Sequence, residues 1–168
     1  MKTTIAYQFK TLAVLAFALL QLGAASTQAG SQVPFRATWD AAIAFTPLAP
    51  PFAAVSGLGT GRATHLGSLT AQSIDEVVNL ETLEGAASYR FTAANADQLF
   101  VNFVFVAVPI APGVFSIQGE WQITGGTGRY IGASGAGRYI GQLNFTGEAT
   151  AVGHFEAEGT LSSPGSLK

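Results

Sequence analysis

The sequence predicts an all-β protein, an antiparallel up-and-down β-barrel of about eight strands preceded by a signal-peptide helix. Several runs alternate between apolar and polar residues with period two, which is typical of strands that bury one face. Glycine and proline separate these runs, and beyond the N-terminal segment no stretch shows helical periodicity. The chain has no cysteine, so packing and sheet closure must supply its stability.

The N-terminal segment has the composition of a signal peptide. Lys2 and Lys10 make its start positive, and 12–20 is an apolar stretch of helix-forming residues that small residues follow. The whole apolar run at 11–22, about a dozen residues, is too short to cross a bilayer, which takes about 20. We therefore expect residues 1–29 to be removed, with cleavage between residues 25 and 30. Residues 30–168 would then form a single barrel domain, secreted or periplasmic, with no stable membrane span.

Alternation locates the strands in the rest of the chain. Phe35, Trp39 and Ile43 share one face of the first strand, opposite Arg36 and Asp40. The predicted strands lie near 34–45, 57–66, 68–79, 80–85, 88–94, 98–109, 113–124 and 136–146, with 148–161 as the eighth or ninth depending on how 68–85 divides. Short connections favour antiparallel pairing, and strands of this length fit an eight-stranded barrel. A two-sheet β-sandwich is the alternative.

The strand at 98–108 is apolar on both faces over residues 99–108, apart from Asn102. Such a strand is either covered on both sides or meets a partner with its outer face. We therefore expect that this strand could form an oligomer interface. Turns are predicted at 94–97 and at Pro112–Gly113 on its two sides.

Charge and residue usage exclude several classes of function. Without the two N-terminal lysines the chain keeps six basic and ten acidic residues, a net charge of −4, with no basic cluster. Nucleic acid is therefore not an expected partner. With no cysteine and two histidines, the sequence predicts neither a thiolate nor a histidine-rich metal site, and it carries no cofactor motif.

Two glycine-rich motifs invite a functional interpretation. The run at 125–137 lacks the Lys-Ser or Lys-Thr of a phosphate-binding loop, and strands flank it on both sides, so a bent and tightly packed connection is expected. In the run at 57–67, Gly59, Gly61, Ala63 and His65 share one face if the strand is regular. These small residues leave room that an aromatic side chain would fill, or that a ligand would occupy with His65 on the wall.

The carboxylates form no recognisable catalytic pair. Asp75 and Glu76, like Glu81 and Glu84, lie in the most polar part of the chain and are expected to face water. Glu120 is expected to point outward, because it alternates with Trp121. No residue is assigned as catalytic.

The glycine motifs also support a resemblance. Residues 61–67 (GRATHLG), 91–99 (FTAANADQL) and 124–135 (TGGTGRYIGASG) resemble small, uncharacterised exported bacterial proteins. The last motif is similar to that of the allene oxide cyclase and dirigent barrels. The resemblance implies a β-barrel and export, and it carries over no catalytic residue. Ala96 stands where the resembling proteins usually have glycine, which predicts a different type of turn.

Two functional hypotheses follow, with a purely structural or surface-interaction protein as a third. The favoured one is a non-enzymatic exported barrel whose aromatic inner face binds a small apolar ligand or a partner. The other is a cyclase-like or dirigent-like protein that steers a reactive intermediate by shape. The predicted lumen residues are Trp39, His65, Tyr89, Arg90, Asn102 and Trp121. A filled lumen would oppose both ligand hypotheses, and a pocket containing His65, Arg90 or Asn102 would favour the second.

Overall fold

The computed structural model describes residues 31–162, which form a closed barrel of eight antiparallel strands. The strands are β1 (Gln32–Pro47), β2 (Phe52–Ala63), β3 (Gly67–Asn79), β4 (Glu84–Ala93), β5 (Gln98–Ala111), β6 (Val114–Gly126), β7 (Gly135–Phe145) and β8 (Thr150–Ser162). Each pairs with the next, and β8 pairs with β1, so that Trp39 lies opposite Gly61 on one side and Phe155 on the other. The barrel prediction is confirmed, and the sandwich alternative is wrong because the β1–β8 ladder closes the sheet. The predicted signal peptide lies outside the described residues.

Alternation along the strands produces the core. In β1, the odd residues from Phe35 to Ile43 are buried and the even ones are exposed. Phe35, Trp39, Tyr89 and Trp121, which were expected on the inner face, are all buried there. Trp39 packs at the centre, with ring centroids 5.3 Å from those of both Phe91 and Phe155. Edge-to-face and offset contacts of this kind add stability beyond the area they bury.

Two predicted strand segments are wrong, and both are turns. Residues 80–83 connect β3 to β4 because the Asn79 side chain ends β3: its Oδ1 accepts hydrogen bonds from the backbone N–H groups of Glu81 (2.8 Å) and Thr82 (3.2 Å). His65 lies in the turn after β2, where its φ of 68° takes it out of the strand conformation. The predicted turns at 94–97 and 112–113 are confirmed.

The connections divide between the two ends of the barrel. One end, which we name the plugged end, carries connections 64–66, 94–97 and 127–134. The last of these includes a short 3₁₀ turn at Gly128–Tyr130. The opposite end, which we name the open end, carries connections 48–51, 80–83, 112–113 and 146–149.

The outer face of β5 remains apolar. Val104, Val108 and Ile110 are 44%, 41% and 58% exposed. This face of β5 is therefore exposed, and its contact with a partner stays a prediction. Within residues 31–162, no helix is long and apolar enough to span a bilayer.

Candidate functional site

An apolar cavity occupies the open half of the barrel lumen. Its volume is about 140 Å³, close to the roughly 150 Å³ of an engineered apolar cavity that takes up benzene. Nine of its lining residues are aromatic: Trp39, Phe45, Tyr89, Phe103, Phe105, Phe115, Tyr139, Phe145 and Phe155. Leu80 and Leu83, from connection 80–83, also line it. The lumen is therefore neither fully open nor fully filled.

Glu76 is the one carboxylate in this lining, and a β-bulge places it there. Register along β3 shifts between Ser73 and Asp75, so Ile74 and Asp75 are both exposed and the strand continues in the opposite phase. A bulge adds one unpaired residue and reverses which side chains face inward. Glu76 and Val78 thus line the cavity, and the expectation that Glu76 faces water is wrong.

Polar groups at the bulge hold Glu76 in place. The Tyr89 hydroxyl donates a hydrogen bond to Glu76 Oε2 at 2.9 Å. The bulge also interrupts the β2–β3 ladder around Gly57, whose backbone N–H donates instead to Ser73 Oγ at 2.6 Å. A Cβ on Gly57 would lie 2.9 Å from the Tyr89 hydroxyl, so the glycine leaves the space that this hydroxyl occupies.

Burial controls the ionisation of the cavity groups. Desolvation raises the pKa of Glu76 to about 7, although the hydrogen bond from Tyr89 opposes the shift. The pKa values of Tyr89 and Tyr139 are also raised, mainly by burial and further by the charge of Glu76, so both phenols stay protonated. Near neutral pH the cavity therefore holds one carboxyl group that can be present in either form.

One polar group on a lining residue of the cavity lacks a protein partner. Trp39 Nε1–H is buried and has no hydrogen-bond acceptor among the described residues. Buried polar groups are normally paired, so this N–H is an exception within residues 31–162.

The plugged end is closed by Tyr130, which is fully buried. Its hydroxyl donates to the His65 carbonyl oxygen at 2.7 Å, and Arg129 Nη2 donates to the same oxygen at 2.6 Å. Arg129 also lies 3.6 Å from Asp97. The carbonyl oxygen of His65, whose backbone is left-handed, therefore links connection 64–66 to connection 127–134.

The glycine-rich run at 125–137 builds this plug, as its interpretation as a bent and tightly packed connection predicted. Gly125, Gly128 and Gly132 have positive φ, which favours glycine. A Cβ on Gly126 would lie 2.6 Å from the Tyr130 Cβ and 2.3 Å from the Gln98 carbonyl oxygen. The motif thus serves the geometry of the closed end.

Only some of the predicted lumen residues lie in the cavity. Trp39 and Tyr89 line it. Trp121 is buried in the core, donates its Nε1–H to the Arg138 carbonyl oxygen at 3.0 Å and packs 5.3 Å from the Phe35 ring, outside the cavity lining. Its place in a ligand site is therefore not supported.

The other three predicted lumen residues lie outside the barrel, and their placement in the lumen was wrong. His65 is exposed in its turn, because β2 ends at Ala63. Arg90 and Asn102 occupy the outward phase of β4 and β5, where Arg90 bonds Gln72 at 2.5 Å and Asn102 accepts from Ser88 at 3.0 Å.

His154 forms an exposed cluster on the outer face. Its Nδ1 lies 2.7 Å from Asp40 Oδ1, and its Nε2 lies 3.6 Å from Glu156. The hydrogen bond with Asp40 raises the pKa of His154. In the part of the chain that the structure describes, no group of three histidine or carboxylate residues is arranged to hold a metal ion.

Comparisons with known proteins add a likeness in shape. No family model matches the sequence. The chain is similar to the structure of the pterocarpan synthase dirigent protein GePTS1, with a TM-score of 0.46 and 10% sequence identity, over 85% of this chain and 91% of that chain. At this identity and TM-score the similarity assigns neither a family nor a function to the present chain.

Proposed function

We propose that the protein binds one small, largely apolar molecule with a polar group in the cavity at the open end of the barrel, and does so without catalysing a reaction. The observation that carries the proposal is the position of Glu76 and Tyr89 in an otherwise apolar, aromatic cavity. Ligand sites commonly combine an apolar lining with a few polar groups that fix orientation. A cavity of about 140 Å³ suits a ligand built on one aromatic ring or on a short branched chain.

The alternative hypothesis, a cyclase-like or dirigent-like protein, would use the same cavity. The residues expected to favour it, His65, Arg90 and Asn102, lie outside the lumen. Binding is therefore the better-supported proposal.

Titration of ¹⁵N-labelled protein with benzyl alcohol tests the binding proposal. We expect chemical-shift changes at the open-end cavity residues, such as Ala87 and Leu143, and little change around Tyr130 at the plugged end. Ala87→Phe would fill the cavity and remove these changes. Ala86→Phe is the matched control, because Ala86 is exposed on the outer face of the same strand. Equal responses in the two variants, or no saturable response in the unmodified chain, would contradict the proposal.

Native mass spectrometry of protein purified from its own host complements this titration. A co-purifying small molecule that Ala87→Phe loses and Ala86→Phe keeps would identify the ligand class. We further propose that the protein acts after export. Detection of the intact N-terminal methionine in the extracytoplasmic fraction would contradict removal of a signal peptide.

A further inference from the structure

The charged side chains of the molecule are distributed unequally between the cavity and the outer surface. None of the arginine or histidine side chains within residues 31–162 lines the cavity, and that part of the chain contains no lysine. Glu76 is the cavity's one ionisable group that titrates near neutral pH. The cavity therefore offers an anionic ligand no countercharge.

The groups that face Glu76 from the neighbouring strands are phenols or apolar side chains. β4 contributes Tyr89 and Ala87, β2 contributes Val55, and β7 contributes Tyr139 across the lumen. The cavity residues of β1, β5, β6 and β8 are apolar apart from the Trp39 indole N–H. Among the described residues, then, Glu76 has a hydrogen-bond donor but no cation beside it.

Nine aromatic residues line the same cavity as this carboxyl group. The faces of such rings carry negative electrostatic potential, so they attract a cation and repel an anion. An ammonium group close to a desolvated carboxylate also forms a strong charge-assisted hydrogen bond. The two effects act on the same ligand chemistry, and one aromatic ring on that ligand would fill the volume available.

We propose that the ligand of this cavity is a small hydrophobic amine, whose ammonium group pairs with Glu76 while its apolar part packs against the surrounding aromatic rings. This inference rests on the proposed binding function and specifies its ligand class. The buried carboxyl group, which has no cation among the described residues, receives one from the ligand. The Tyr89 hydroxyl keeps Glu76 oriented and stays in place.

Proton exchange follows from this pairing. Glu76 must be ionised to pair with an ammonium group, and its pKa of about 7 in the free protein means that a large share is protonated below that pH. Binding at pH 6 should therefore release close to one proton, whereas binding at pH 8.5 should release few. Amine affinity should fall by up to about tenfold for each pH unit below 7.

Three probes of nearly equal size test the proposal: benzylamine, benzyl alcohol and benzoate. At pH 8 we expect isothermal titration calorimetry to show benzylamine binding at least about tenfold tighter than benzyl alcohol, with benzoate weakest. Glu76→Gln should lower benzylamine affinity about tenfold more than it lowers benzyl alcohol affinity, because only the amine loses an ion pair. Titration in two buffers of different ionisation enthalpy measures the released proton.

The outcomes separate this inference from the proposed function. If benzyl alcohol binds in the cavity and benzylamine binds no tighter, or if Glu76→Gln leaves the preference unchanged, the amine inference is wrong and the binding function stands. If none of the three probes binds, both fail. Ala87→Phe locates the binding, and Ala107→Phe, at a partly buried lining position, serves as a second blocking variant if Ala87→Phe does not fold.

Discussion

The two ends of this barrel use the same kind of inner face to different effect. At the plugged end, Tyr130, Leu99 and Leu161 are completely buried. At the open end, Phe45, Phe115 and Phe145 are partly exposed around a cavity of about 140 Å³ that contains Glu76. The strands run through both ends, so strand pattern alone does not produce the difference.

The connections and one bulge explain it. Connection 127–134 inserts Tyr130 into the lumen, and the His65 carbonyl oxygen anchors the inserted residue. At the other end, connection 80–83 contributes only Leu80 and Leu83 to the cavity lining, and the β3 bulge turns a carboxyl group inward. The comparison indicates that packing at the plugged end stabilises the fold, whereas the buried Glu76 carboxyl group at the open end destabilises it.

The largest expected effect comes from removing the plug. Tyr130→Ala should destabilise the protein by about 3–5 kcal/mol, because it leaves a cavity in a fully packed region. Phe145→Ala at the open end should cost about half as much, since Phe145 already borders a cavity and is partly exposed. Urea unfolding measures both values. Equal losses would remove the distinction between the ends.

Tyr130→Phe separates packing from hydrogen bonding at the plug. It keeps the ring and removes the 2.7 Å hydrogen bond to the His65 carbonyl oxygen, so a loss of about 1 kcal/mol is expected. A loss as large as that of Tyr130→Ala would contradict the interpretation that ring packing dominates.

Glu76 should make stability depend on pH at the open end. The folded protein holds the proton of Glu76 up to about pH 7, whereas the unfolded chain releases it near the ordinary value of 4.5. Stability should therefore fall as pH rises between these values and then level off, by about 3 kcal/mol in all. The difference in unfolding free energy between the unmodified chain and Glu76→Gln, measured from pH 4 to pH 8.5, isolates this effect.

A matched control for that profile is Glu120→Gln, which removes an exposed carboxyl group from the outer face. We expect Glu120→Gln to retain the fall in stability and Glu76→Gln to abolish it. A profile that Glu76→Gln leaves unchanged would contradict the placement of this carboxyl group in an apolar cavity.

Gly57→Ala tests the fit of the Tyr89 hydroxyl beside Glu76. The new Cβ would lie 2.9 Å from that hydroxyl, which is held by its hydrogen bond to Glu76, so a loss of about 1–2 kcal/mol is expected. In a Tyr89→Phe background, where the hydroxyl is absent, the same substitution should cost clearly less. A double-mutant cycle measures the coupling, and additive costs would show that the two groups do not compete for this space.

The smallest expected effect lies in a turn at the plugged end. Ala96 has a φ of 68°, a left-handed conformation that glycine adopts more readily. Ala96→Gly should therefore stabilise the protein by about 0.5–1 kcal/mol, as measured by thermal or urea unfolding. Ala94→Gly in the same turn is the control, since Ala94 is outside the left-handed region and should gain nothing. The turn is left-handed at Ala96 although the residue is not glycine.

Much of the barrel could be predicted from the sequence because alternation is a local property. The inward positions of Phe35, Trp39 and Trp121 follow from period two within single strands. The outward position of Glu120 follows in the same way. The candidate site was predicted only in part: Trp39 and Tyr89 were named, but Glu76 was assigned to the surface.

The missed residue had a weak local signal. After Leu69 and Ala71, the inward phase of β3 should continue through odd residues, yet Ile74 and the adjacent pair Val77 and Val78 break the alternation. A break of this kind is compatible with a bulge, but it does not say on which residue the bulge falls.

The sequence by itself determined that the chain forms amphipathic strands with an aromatic inner face and glycine-rich connections, since these depend on side-chain alternation and backbone freedom within short stretches. Only the tertiary structure decided which residues share the lumen. Closing β8 against β1 encloses one lumen, and the pairing of β3 with β4 sets the phase in which the β3 bulge turns Glu76 inward. The same closure brings His65 to Tyr130, residues far apart in the chain, and so decides which end of the barrel is filled and which is left open.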